Sequence, residues 1–109
     1  MKDYGLILTT LEAVPGRRIA EHLGIVQGSS IRAKHVGHDI GASIKNFFGG
    51  ELSSYTALMS ESRDEAIARM VEQARSINAN AVLNIRFSTA SIAQGAAELL
   101  VYGTAVKLA

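Results

Sequence analysis

The grouping best suited to chemistry is His35, His38 and Asp39. On a helix, positions i, i+3 and i+4 fall within one turn, so two imidazoles and a carboxylate can partly converge. Neutral imidazole with carboxylate suits zinc or nickel. A usable centre needs three or four convergent ligands, and a symmetric assembly would multiply such a set. The flanking cations Arg32, Lys34 and Lys45 point the other way. They repel a metal ion, and a solvated helix face explains the same residues. Both readings stand at this level.

Other groups carry less. His22 follows Glu21, but the period of two in a strand sends neighbours to opposite faces. No G-x-S-x-G elbow sets up a serine nucleophile. The acids Glu12, Glu21, Glu51 and Glu98 fall on different elements, so spacing alone pairs none of them. Gly49-Gly50 before a helix resembles an anion-binding end. Glu51 beside it opposes a phosphate, and a tight turn between helices is the simpler account. The expectation is a chain with no catalytic residues and no assignable cofactor contacts, acting otherwise than as an enzyme. A site shared between subunits remains the alternative.

Composition narrows the class. The chain has 109 residues, enough for one domain over 1–109 with one core. Charged residues make up only 19 %, below the ~25 % of an average protein, and so little charge on a small chain hints at buried subunit contacts. The net charge of +1 provides no field for nucleic acid or acidic lipid. Three Phe, three Tyr and no Trp supply little base stacking. No cysteine is present, which excludes thiolate nucleophiles, disulfides and Cys-ligated zinc. No apolar run approaches the roughly 20 residues of a membrane span. The expected setting is the cytoplasm, with neither nucleic acid nor membrane as partner.

The elements that would position these groups follow from periodicity. Leu6 to Thr10 reads as a short edge strand, and Val14-Pro15-Gly16-Arg17 as a turn. Arg17 to Gly28 alternates, with Ile19, Leu23 and Ile25 on one face and Ala20, His22, Gly24 and Val26 on the other. Gly24 and Gly28 mark a bulge or a close backbone approach. Ile31 to Phe48 carries apolar residues at spacings of three and four, predicting a shorter helix weakened by Gly37 and Gly41 and ended by Gly49-Gly50.

A long helix starts at Glu51. Its stripe is Leu52, Tyr55, Met59, Ala66, Met70, Ala74 and Ile77, widened by Ile67 and Val71. Ser62 to Glu65 matches a capping box, but the stripe keeps its phase there, so one continuous helix is predicted. Asn78 suits a left-handed end. Ala81 to Thr89 is a strand with Leu83, Ile85 and Phe87 on one face, and 90–95 is a loop. Leu99 to Leu108 is apolar on both faces, which places it centrally between the strands at 17–28 and 81–89. Tyr102, Met59 and Met70 read as core. One long helix covers one face of such a sheet. A second copy of the chain is the simplest cover for the other.

Five short stretches are Gly24-Ile25-Val26-Gln27-Gly28, Gly49-Gly50-Glu51-Leu52 with Tyr55, Ser62-Arg63-Asp64-Glu65-Ala66, Asn78-Ala79-Asn80-Ala81-Val82 and Tyr102-Gly103-Thr104-Ala105-Val106. In this order and spacing, from about Thr9 to Lys107, the chain resembles the YbjQ-like family of small bacterial and archaeal proteins, which carries a heavy-metal-binding label without a secure reaction. The resemblance implies an α+β fold: a two-layer sandwich of a mostly antiparallel sheet with one long and one shorter helix, related to the dodecin-like arrangement. It also implies a ring-forming protomer, assembled as a homo-oligomer of five. Asn78 stands where the family usually has glycine, and the two share a left-handed preference. The family's metal label finds no cysteine here.

Overall fold

The computed structural model describes residues 4–33 and 52–109. Four strands, β1 (Ile7–Leu8), β2 (Ile19–Ala33), β3 (Ala81–Ala93) and β4 (Ala96–Leu108), form one sheet in the order β1-β3-β4-β2. Helix α1 (Leu52–Ser76) lies on one face, chiefly against β2 and β4. The fold is α+β and the sheet is mixed. β4 pairs antiparallel with both neighbours, while β1 runs parallel to β3. The doubly apolar last strand is central, as its pattern predicts.

Helix α1 is continuous through Ser62, which is buried rather than capping a new helix. Its buried line is Ser62, Ala66, Met70 and Ala74, with Val71 at its flank. The small members of this line, Ser62, Ala66 and Ala74, let the helix lie low on the sheet. The closest approach is at Gly28, where an added Cβ would overlap the Ala66 carbonyl oxygen and the Met70 amide nitrogen. The glycine flagged for close approach in the sequence is therefore where helix backbone meets strand backbone. The side chains of Leu52 and Tyr55 lie outside those described, and Ile77 leaves the stripe for an exposed position in the exit turn.

The exit turn is a Schellman motif. Ala79 N–H donates to Ala74 O (3.1 Å) and Asn78 N–H donates to Arg75 O (3.0 Å). Asn78 is left-handed at φ 64°. The two bonds satisfy carbonyls that a helix end otherwise leaves bare. Asn80 then joins the sheet ahead of β3. Its side-chain oxygen accepts from Leu108 N–H (2.7 Å) and its amide donates to Leu108 O (3.1 Å). A side chain thus continues the ladder by one rung beyond the backbone pairing.

Bulges rearrange the faces. Alternation along β2 places Leu23 opposite Val26, yet both pack on the helix-side core, because the register shifts between His22 and Gly24 with Gly24 at φ 116°. Ile25 is left 79 % exposed on the opposite face. In β3, Asn84 at φ 53° sits in a register shift between Leu83 and Arg86. Leu83 consequently joins Ala81, Val106 and Leu108 on the outer face, while Ile85 joins Met70 and Val101 under the helix. The predicted common face of Leu83, Ile85 and Phe87 is broken for that reason.

Three further expectations are corrected. Ile31 to Ala33 belong to β2, so no helix begins at Ile31; the remainder of that predicted shorter helix, with Gly49-Gly50, lies outside the described residues. The predicted loop at 90–95 is the end of a long hairpin, with β3 reaching Ala93 and only Gln94-Gly95 turning. Tyr102, expected in the core, is 39 % exposed on the outer face.

Candidate functional site

Three features of the described residues bear on function: an ion-pair cluster, a cavity beside the helix and a bare patch of sheet. The cluster centres on Glu65. The sequence pairs Glu65 with Arg69, and they meet at 3.0 Å. The fold adds Arg32 from β2 at 2.8 Å and the Ser30 hydroxyl, which donates at 3.0 Å. Arg69 also donates to Ser29 O, and Gln73 accepts from Gln27 N–H at 2.7 Å. Ser29 O and Gln27 N–H lie on the free edge of β2, so two helix side chains occupy backbone groups that would otherwise invite another strand. This cluster clamps the helix and protects an edge. No substrate is needed to explain it.

The cavity holds about 410 Å³, within the usual range for small-molecule sites. Ile85 and Phe87 of β3 form its floor, and Ile67 and Met70 of α1 one wall. Leu8, Thr9 and Thr10 form the other wall. That wall is held by Thr9 N–H to Val82 O (3.1 Å), Ile85 N–H to Thr9 O (3.1 Å) and the Arg86 guanidinium on the Thr10 carbonyl (3.0 Å). Tyr4 and Asp64 complete the lining. Phe87 stays 46 % exposed. The Asn84 bulge creates this floor, because it turns Ile85 and Phe87 to the helix side.

Burial holds the Tyr4 phenol above its ordinary value of 10.0, and the nearby Asp64 carboxylate adds to the shift. Both disfavour phenolate. In a Tyr55→Phe, Tyr102→Phe background only Tyr4 absorbs as phenolate. Its transition is expected above 10.0, and Asp64→Asn is expected to lower it without removing the part due to burial. A transition at 10.0 in both proteins would contradict this. Because the folded state keeps its proton longer than the unfolded chain, the stability tied to Tyr4 is intact below 10.0 and is lost as pH rises above it.

The third feature is the outer face. Its lower half is covered from within the chain, as Val14 packs with Ile7 against Ala81, Leu83, Val106 and Leu108. This segment supplies part of the cover that the sequence alone assigns to a second copy. Among the described residues, nothing covers the upper half. Register places Ile25, Gln27, Ser29 and Ile31 of β2 opposite Thr104, Tyr102, Leu100 and Glu98 of β4, with Ile25 and Ile31 79 % and 57 % exposed.

The predicted metal ligands His35, His38 and Asp39 lie outside the described residues. Among the described residues no three His, Cys, Asp or Glu side chains come together as a metal site, and His22 is exposed on β2. Sequence reading missed the cavity. Tyr4, Asp64 and Phe87 come from three separate stretches, and Asp64 reads only as the wet side of a helix.

A mixed sheet covered on one face by a single long helix, with a groove beside that helix, defines a small two-layer α+β protein. The chain belongs to the YbjQ family, whose model, described as "Putative heavy-metal-binding", matches residues 6–109. It is 59 % identical over 101 residues to a UPF0145 protein of Hahella chejuensis, covering 93 % of this chain and 97 % of that one. A Thermus thermophilus UPF0145 protein is 54 % identical over 103 residues (94 % and 90 % covered), and one from Archaeoglobus fulgidus 52 % (94 % and 95 %). A crystal structure of a protein of unknown function from Pediococcus pentosaceus, placed in the DUF74 family, shares the fold. Its TM-score is 0.68 at 16 % identity, covering 96 % of this chain and 99 % of that one.

The residues present fit the family description only in part. Soft heavy metals select thiolates, and the chain has no cysteine. Met70, a thioether, is completely buried in the core. A thiolate-ligated soft-metal centre therefore does not fit this donor set.

Proposed function

We propose that this chain is a non-enzymatic, cytoplasmic homo-oligomer that holds a small ligand or ion at its subunit interfaces. The observation that carries the reading is the upper half of the outer face, left uncovered by the described residues. Ile25, Ile31, Leu100 and Tyr102 lie on adjacent strands there, with Ile25 79 % exposed. Large apolar side chains clustered among short polar ones on an exposed sheet face suit a protein contact, and most soluble oligomers are homo-oligomers with closed symmetry. The low charge content supports the same reading, as does the ring of five subunits that the family resemblance implies. A shared edge ladder is disfavoured at the middle of β2, because Gln73 and Arg69 occupy the outward Gln27 N–H and Ser29 O. The contact is face to face.

The family description favours a second reading, a metal-binding or metal-sensing ring. Within this chain it rests on His35, His38 and Asp39, whose imidazole and carboxylate donors suit zinc or nickel.

Native mass spectrometry separates these readings. The expected spectrum is a whole-number multiple of one chain mass, and an Ile25→Asp, Tyr102→Asp variant is expected to collapse to one chain. A single-chain mass at micromolar concentration for the unmodified protein would overturn the assembly. A mass increment of a divalent ion, lost in a His35→Ala, His38→Ala variant, would favour the second reading.

A further inference from the structure

We propose that the cavity between α1 and β3 is a binding site for a protonated amine carried on a compact apolar body. The inference deepens the ligand-binding part of the reading above and is independent of the assembly.

The site has a greasy floor, an aromatic rim and one negative charge. Ile67 and Ile85 offer an apolar surface to the ligand body, while Phe87 and Tyr4 add aromatic rings. Among the described residues, Asp64 is the only charged one in the lining. Among the described residues it has no Lys, Arg or His within salt-bridge distance, whereas Glu61 and Glu65 on the same helix face Arg32. Two guanidiniums at the margin of this region are bound to backbone carbonyls of lining residues. Arg75 donates to the Tyr4 carbonyl, and Arg86 donates to the Thr10 and Ile85 carbonyls. Neither lines the cavity.

This arrangement selects by charge. A cation beside Asp64 gains Coulomb energy, reduced by solvent because Asp64 is exposed, and the aromatic rings add a cation–π attraction. A carboxylate or phosphate ligand would meet the same charge as repulsion. A neutral apolar ligand would take water from Asp64 and return nothing. A metal ion needs three or four convergent ligands, and the lining supplies one carboxylate. The Tyr4 phenol shift comes first from burial, and its smaller part, from Asp64, reports the negative field that a cation would meet.

The test compares three probes of similar shape: 2-phenylethylamine, 2-phenylethanol and 3-phenylpropionate. Methyl resonances of Ile67 and Ile85 report occupancy of the cavity, and the mass of the same sample reports assembly separately. The amine is expected to bind about tenfold more tightly than the alcohol, with the carboxylate weakest. In Asp64→Asn, a substitution at an exposed position, the amine and the alcohol are expected to bind alike. Equal affinity for all three probes would overturn the proposal. A preference that survives Asp64→Asn, or no shift at either methyl at millimolar amine, would do so too. An intact oligomer with any of these results leaves the assembly standing. A single-chain mass with the amine preference present leaves the site standing.

Discussion

Gly28→Ala is expected to destabilise the protein by about 3 kcal/mol or more, the upper part of the range for overpacking a core. The reason lies in what the methyl would meet. An overpacked site normally relaxes when a side chain swings away. Here the nearest atoms are the Ala66 carbonyl oxygen and the Met70 amide nitrogen, with Arg69 Cβ at 3.0 Å. Backbone atoms of a helix interior move only with the helix. Lifting α1 off β2 would loosen Ala66, Met70 and Ala74 together, all of them fully buried. It would also stretch the bonds that Arg69, Gln73 and Glu65 make to β2. A urea melt should show a large drop in midpoint for Gly28→Ala, and Gly28→Val should fail to fold. A midpoint unchanged from the parent protein would mean that the helix does not sit this low on the strand.

Met70→Ala is the second large effect, expected at about 3 kcal/mol from the range of 2–5 for such truncations. Met70 is 0 % exposed and packs in the cluster that includes Val26, Ala74, Ile85 and Val101. Deletion removes its transfer energy and leaves a void. The residue also borders the 410 Å³ cavity, so the void opens into existing space that water can enter. That puts the cost in the middle of the range rather than at its top. Met70→Leu nearly conserves volume and should cost less than about 1.5 kcal/mol. Equal midpoints for the alanine and leucine variants would show that the cavity, and not the core, owns this side chain.

Much of the architecture is legible in the sequence, and each legible part has a local cause. The stripe through Ala66, Met70 and Ala74 gives the helix its length and its buried side. The left-handed tolerance of asparagine gives the exit turn at Asn78. The apolar alternation on both faces of Leu99 to Leu108 puts that strand in the middle of the sheet. Where local signals end, the reading errs. Ile31, Arg32 and Ala33 continue a helical spacing toward Phe48, yet they pair with Glu98, Ala97 and Ala96. A long partner strand overrides the periodicity, since sheet pairing is a tertiary choice. The same pairing extends β3 through Ala93, where small and polar residues suggest a loop.

The candidate site was less legible than the fold. A face is read from strand sequence by counting in twos, and one inserted residue reverses every later position. The bulge at Asn84 does this, separating Leu83 from Ile85 and Phe87. The bulge by Gly24 does it again in β2, bringing Leu23 and Val26 to the same core. No feature of Asp64 in the chain marks it as facing Tyr4, because that proximity depends on where β1 lies beside β3.

By itself, then, the sequence determined the long helix, its asparagine exit, the central strand and the absence of thiol chemistry. These rest on composition and on periods of 3.6 and two, which the chain carries locally. Only the tertiary structure decided the rest: the helix's contact depth at Gly28, the exposure of Ile25 and Ile31 on the outer face, and the meeting of Tyr4, Asp64 and Phe87 around one cavity. Each of these depends on two bulges and on non-local strand pairing, and such choices are made by the energy of the packed whole rather than by any single stretch of chain.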